Sequence, residues 1–150
     1  MNLFDELRGV LAALEAEGVE YALVGGLAVA VWGAPRATKD IDLLIRREDI
    51  GRAKATLRTR GFTLEALPFE FKDGSEVHRI NKVDAAGDLM TVDLMLVDRN
   101  VEGVWDSRIR LPFGDGSVAV AGREALIGMK ARAARPQDLM DIQNLQDLDR

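Results

Sequence analysis

The chain has 150 residues, 47% of them hydrophobic and 30% charged, with a formal charge of −5 and no cysteine. Such a length and balance suit one globular domain with a continuous core and exclude disordered and fibrous classes. The missing cysteine excludes disulfides, thiolate metal sites and thiol catalysis, and the net acidity argues against a broad, sequence-independent grip on nucleic acid, which needs many phosphate-neutralising cations.

Leu3, Leu7, Leu11 and Leu14 recur at helical spacing after a possible Asn2 cap, and Gly18 is the natural stop, so the chain is expected to begin with a helix. The segment Met1-Asn2-Leu3-Phe4-Asp5-Glu6 lacks the basic region and apolar run of a signal peptide. The longest apolar stretch, residues 21–34, falls short of the roughly 20 residues needed to cross a bilayer. A cytoplasmic location without membrane contact is the expectation. Residues 19–24 read as a strand that Gly25 and Gly26 turn into a short helix over 27–32, ended by Gly33 and Pro35. Asp40–Ile45 reads as a second strand and residues 48–60 as a helix closed by Gly61.

Further strands are expected over 62–67, 76–83 and 89–97, pairing mostly antiparallel, with a hairpin over 108–113 and 118–121 around Gly114-Asp115-Gly116. Helical spacing returns from Arg123 through Lys130, breaks at Arg135-Pro136 and resumes over 137–148. With no linker and no repeat, residues 1–150 read as one domain, with a core over 1–122 and C-terminal helices over 123–150.

Residues two apart on a strand share a face, so Asp40 and Asp42 project together while Ile41 and Leu43 point to the core. Two carboxylates about 7 Å apart along a strand can reach one hard cation or flank a pair of them, and magnesium suits them best. Taken alone, the pair reads more readily as a strand start and a solvated edge residue, because the pattern is common. Asp93 lies in a strand-like run, Thr91-Val92-Asp93-Leu94-Met95, where a buried carboxylate must be neutralised, paired or metal-bound. Alternation also permits Asp93 to face water beside Thr91. Gly25-Gly26 offers a turn without Cβ atoms and a helix N-terminus behind it, which phosphate oxygens can approach, although a tight strand-to-helix connection needs the same residues.

The order Val24-Gly25-Gly26, then Asp40-Ile41-Asp42, then Asp93 in its own strand resembles the motif of the DNA polymerase β-like nucleotidyltransferase superfamily. The wider pattern Arg36-x-Thr38-x-Asp40-Ile41-Asp42-Leu43, with Lys130 and Arg135-Pro136-x-Asp138-x-x-Asp141, looks most like the small prokaryotic members related to AbiE-type toxins. The resemblance implies an α/β (α+β) nucleotidyltransferase fold, a mixed and mostly antiparallel sheet packed by helices with a helical C-terminal segment. It implies two magnesium ions, or manganese, held by Asp40, Asp42 and Asp93, and transfer of a nucleotidyl group from a nucleoside triphosphate such as ATP to a hydroxyl acceptor. Gly25 and Gly26 are then the triphosphate contacts, and Asp93 also helps deprotonate the acceptor.

Arg36 and Lys39, beside the carboxylates, are candidates to meet the nucleotide or to offset repulsion among the aspartates. Lys130 and Arg135 are candidates to neutralise phosphates from the C-terminal side, against the alternative of a solvated helix face. Asp138 and Asp141, at i and i+3 on one helix, are expected to orient them by ion pairing and not to form a second metal site. The lone His78 reads as structural. The acceptor, an RNA end, a protein or a small molecule, stays open, as does a toxin or antitoxin partner. Two alternatives remain beside transfer: a regulatory or antitoxin module that binds nucleotide without turnover, and a metal-dependent phosphohydrolase.

Overall fold

In the computed structural model, which describes residues 2–148, helix α1 spans Leu3–Ala16. Asn2 caps it as expected: its Oδ1 accepts from the Asp5 backbone N–H at 3.1 Å, and Gly18, with φ +71°, turns the chain out of it. Strand β1 is only Ala22–Val24, shorter than the expected 19–24, and helix α2 is Gly25–Trp32, so both glycines lie inside its first turn and not in a loop before it. Gly33 ends α2 in the left-handed region.

Strand β2 is Asp40–Ile45, as the alternation indicates. A 3-10 turn over Arg47–Asp49 then leads into α3, Ile50–Thr59. Of the expected strand 62–67 only β3, Leu64–Glu65, forms, and a further short strand, β4 at Phe69–Glu70, follows Pro68, whose ring removes a ladder donor. Strand β5 is Glu76–Val83 and β6 is Leu89–Leu96. A short helix not expected from the sequence, α4 at Glu102–Asp106, precedes the hairpin β7, Ile109–Phe113, and β8, Gly116–Val120. Helices α5, Arg123–Ala133, and α6, Pro136–Asp147, follow, with Pro136 at the first helical position, where its missing N–H costs nothing. Met1 and residues 149–150, included in the expected domain, lie outside the described residues.

The strands form one mixed sheet in the order β3-β5-β6-β2-β1-β8-β7, with β4 also on β5. Pairing is mostly antiparallel, but β2 with β6 and β1 with β8 are parallel. Ile41, Leu43, Val92 and Leu94 are buried in one apolar cluster with Leu7, Leu11 and Leu14 of α1 and Ala53 and Leu57 of α3. Helix α2 touches β1, β2 and β7 of the sheet and also α5 and α6, so it links the sheet to the C-terminal pair. Among the described residues, no helix is long and apolar enough to cross a membrane.

Candidate active site

Because β2 and β6 run parallel and in register, Asp42 and Asp93 are direct cross-strand partners, and Asp40 stands opposite Thr91. Two residues far apart in the sequence are thus brought together by one ladder, and strand alternation puts all three carboxylates on a single face. The face opposite carries Ile41, Leu43, Val92 and Leu94, none of them accessible to solvent. Thr91 does not face water as the alternative reading allowed: it is buried, and its hydroxyl donates to Asn81 Oδ1 at 2.6 Å.

Concentrating negative charge here disturbs the central member most. The Asp42 carboxyl is pushed up to about 7, first by burial and then by the charges of Asp93 and Asp40, with Lys130 and Arg79 acting in the opposite direction. Arg79, on β5 directly across from Asp93, was not singled out by the sequence. Its Nε donates to Asp93 Oδ1 at 2.8 Å and its Nη2 to Oδ2 at 3.0 Å, a bidentate pair that raises the pKa of the guanidinium. The signal was present in the alternation of β5, where Arg79 shares a face with Val77 and Asn81, but only the pairing register puts it opposite a carboxylate.

Gly25 has φ +72°, and a Cβ there would run into the Asp42 carboxylate, with Cγ at 2.9 Å. The glycine therefore makes room for the aspartate as well as exposing backbone. A Cβ on Gly26 would meet the Arg36 guanidinium, with Nη2 at 2.7 Å and Cζ at 2.8 Å. Val24 supplies no side-chain cap, so no cap side chain accepts from the first N–H groups of α2.

Arg36 also reaches the C-terminal helices: its Nε lies 2.8 Å from Oδ1 of Asp141, a side chain with no exposed surface. The other Asp141 oxygen accepts from Lys130 Nζ at 2.8 Å, and Gln137 donates to Oδ1 at 3.2 Å. Lys130 is 3.7 Å from Asp138, which in turn takes Arg135 through Nε at 2.8 Å and through its backbone N–H at 3.0 Å. The Arg135 guanidinium beside Asp138 holds that carboxyl below the usual range. So Asp138 and Asp141 do hold Lys130 and Arg135 by ion pairing, and Lys130 is a buried member of the network, not part of a solvated face. Lys39 is exposed and makes no ion pair among the described residues. His78 is buried, its Nε2 2.6 Å from Glu76 Oε2, and stands apart from this network.

The donor set suits a hard divalent cation. Asp40 and Asp42 offer carboxylate oxygens on one face, and the Asp42 carboxylate is crowded by like charge, which a cation would relieve. Asp93 is engaged through both oxygens by Arg79, and among the described residues no three His, Asp or Glu groups form a metal-holding cluster.

A family model described as an uncharacterised nucleotidyltransferase matches residues 1–145. No curated protein matches the chain. Among solved structures, the lincosamide antibiotic adenylyltransferase LnuA in its lincomycin-bound form is 19% identical, with 96% of each chain covered and a TM-score of 0.69. A candidate nucleotidyltransferase from Thermotoga maritima is 14% identical over 95% of this chain and 91% of its own, with a TM-score of 0.68. The antibiotic-resistance factor ANT(2'')-Ia is 16% identical over 95% of this chain and 81% of its own, with a TM-score of 0.67. At these identities the shared property is the fold: a mixed sheet with flanking and C-terminal helices, as found in nucleotidyltransferases.

Proposed function

The chain belongs to the uncharacterised nucleotidyltransferase family, whose model covers residues 1–145, and from that premise we propose that it transfers a nucleotidyl group from a nucleoside triphosphate to a hydroxyl acceptor. The observation that carries this reading is the parallel register that sets Asp42 beside Asp93, with Asp40 on the same face and Gly25 packed against Asp42.

In this reading Asp40 and Asp42, joined by Asp93, hold the divalent ions, two magnesium ions by the family pattern. Bound there, such ions neutralise phosphate charge and stabilise the entering and leaving oxygens of an in-line displacement. The chain's own residues do the positioning. The N–H groups at the start of α2 meet phosphate oxygens, which Gly26 admits because no Cβ intervenes. Arg36, fixed by Asp141, adds a preorganised positive charge beside that turn, and Lys130 contributes to the potential felt at Asp42. Lys39, exposed and unpaired among the described residues, is free to meet the nucleotide or the acceptor. In the same reading Asp93 also helps deprotonate the acceptor hydroxyl.

The acceptor proposed first is a small molecule. LnuA is described as an antibiotic adenylyltransferase, and ANT(2'')-Ia has been solved with adenylyl-2''-tobramycin. An RNA end or a partner protein, as in a toxin–antitoxin pair, is the other acceptor class to screen. Residues 1–150 are read as one functional unit, with the helices from residue 123 onward serving the nucleotide site.

The test is to incubate purified protein with magnesium, labelled triphosphates and pools of hydroxylated small molecules, RNA and cell extract, beside Asp42→Asn. Label transfer with pyrophosphate release by the wild type and none by the variant is expected; equal labelling by both would sink the assignment. One observation favours a second reading, a module that binds nucleotide without turnover: both Asp93 oxygens are already engaged by Arg79. Tight triphosphate binding in a calorimeter with no pyrophosphate released, across all acceptor pools, would select it.

A further inference from the structure

Across the sheet, Asp42, Asp93 and Arg79 form one row on three adjacent strands, with Asp93 in the middle. On one side Asp93 faces the crowded Asp42; on the other it is gripped through both oxygens by a guanidinium. A carboxylate so engaged has no oxygen fully available to a cation shared with Asp42. The grip is also reversible by construction: the Arg79 side chain is 46% exposed and can return to water, whereas Asp93, at 14%, stays where its strand holds it. Among the described residues, no other cation forms a direct ion pair with any of the three carboxylates.

We infer that Arg79 is a built-in competitor for the metal, holding Asp93 in the metal-free protein and yielding it when divalent cation and triphosphate arrive together. This rests on the proposed metal-dependent transfer. The consequence is that metal loading depends on the nucleotide: a bare divalent ion must displace a bidentate, charge-assisted pair to gain its third carboxylate, while a cation arriving with the triphosphate brings additional ligand oxygens. Once released, Arg79 remains beside Asp93 as a positive charge at the outer edge of the site. It is therefore a positioning residue in the resting protein, acting through Asp93.

The test is manganese binding, followed by electron paramagnetic resonance and calorimetry, to wild type, Arg79→Gln and Arg79→Lys, with and without a non-hydrolysable triphosphate. Without nucleotide, Arg79→Gln should bind manganese about fivefold or more tightly than wild type, because the competing bidentate pair is gone. Arg79→Lys, a single ammonium that cannot take both oxygens, should fall between them and serves as the comparison if the glutamine variant does not fold. The affinity gained on adding triphosphate should shrink in the same order. Equal or weaker manganese binding by folded variants overturns the inference. Failure of every form to bind manganese even with nucleotide, or binding that survives Asp42→Asn, removes instead the metal site on which the proposed function stands.

Discussion

Gly25 and Asp42 are packed so closely that a single methyl group on the glycine would occupy the space of the carboxylate. The glycine is also held at φ +72°. Gly25→Ala therefore carries two costs, backbone strain of about 1–2 kcal/mol and displacement of Asp42. It is expected to lower Tm and to remove triphosphate and metal binding together, read by thermal melting and calorimetry. Gly26→Ala should be milder. The atoms it meets first belong to the far end of Arg36, and no positive φ is involved, so its effect should fall mainly on nucleotide affinity.

The Asp42 carboxyl is raised from 3.8 to about 7 by burial and by Asp93 and Asp40. A folded-state pKa above the unfolded value means that folding favours the protonated form. The stability this group contributes is fully present below 3.8 and is lost as the pH rises through about 7. Metal-free wild type should thus lose stability from mildly acidic to mildly alkaline pH, and Asp42→Asn should lose less. At the alkaline end the variant is expected to be the more stable by on the order of 2 kcal/mol. Thermal melts of the two proteins across this range, in a chelating buffer, check it; parallel profiles would contradict the electrostatic picture.

Asp141 has no exposed surface and holds both Arg36 and Lys130. Removing it leaves a buried ammonium without its nearest partner, so Asp141→Ala should cost about 3–5 kcal/mol in denaturant unfolding. Asp138→Ala should cost less, because its Arg135 partner is 76% exposed and can be solvated.

Arg36 and Lys39 lie in the same segment between α2 and β2 but differ in anchoring. Arg36→Ala breaks the link to Asp141 and should lower both Tm and triphosphate affinity. Lys39→Ala, at an exposed position, should leave the unfolding free energy within about 0.5 kcal/mol of wild type, with little change in Tm, while weakening triphosphate binding. A Tm loss in Lys39→Ala as large as that in Arg36→Ala would show that the two residues are not separated in this way.

Much of the fold is legible in the chain because its signals are local. The strands Asp40–Ile45 and Glu76–Val83 follow from alternation, and Asn2 and Gly18 mark the ends of α1 by their own backbone and side-chain chemistry. Where the signal is short or interrupted, the reading weakens. The five residues of α4 are too few to display a helical period, and the expected strand over 62–67 shrinks to the two residues of β3. The start of α2 at Gly25 was hidden because glycine has the weakest helix preference among residues other than proline.

By itself the sequence determined which carboxylates share a face: Asp40 and Asp42 because a strand repeats every two residues, and Asp138 and Asp141 because they are three apart on a helix. Tertiary structure alone decided that Asp42 lies beside Asp93, that Arg79 holds Asp93 from the far side, and that Asp141 reaches back to Arg36. The physical reason is range. Periodicity and capping act over a few residues, whereas the register of strands about fifty residues apart is fixed by which side chains the whole core can bury at once.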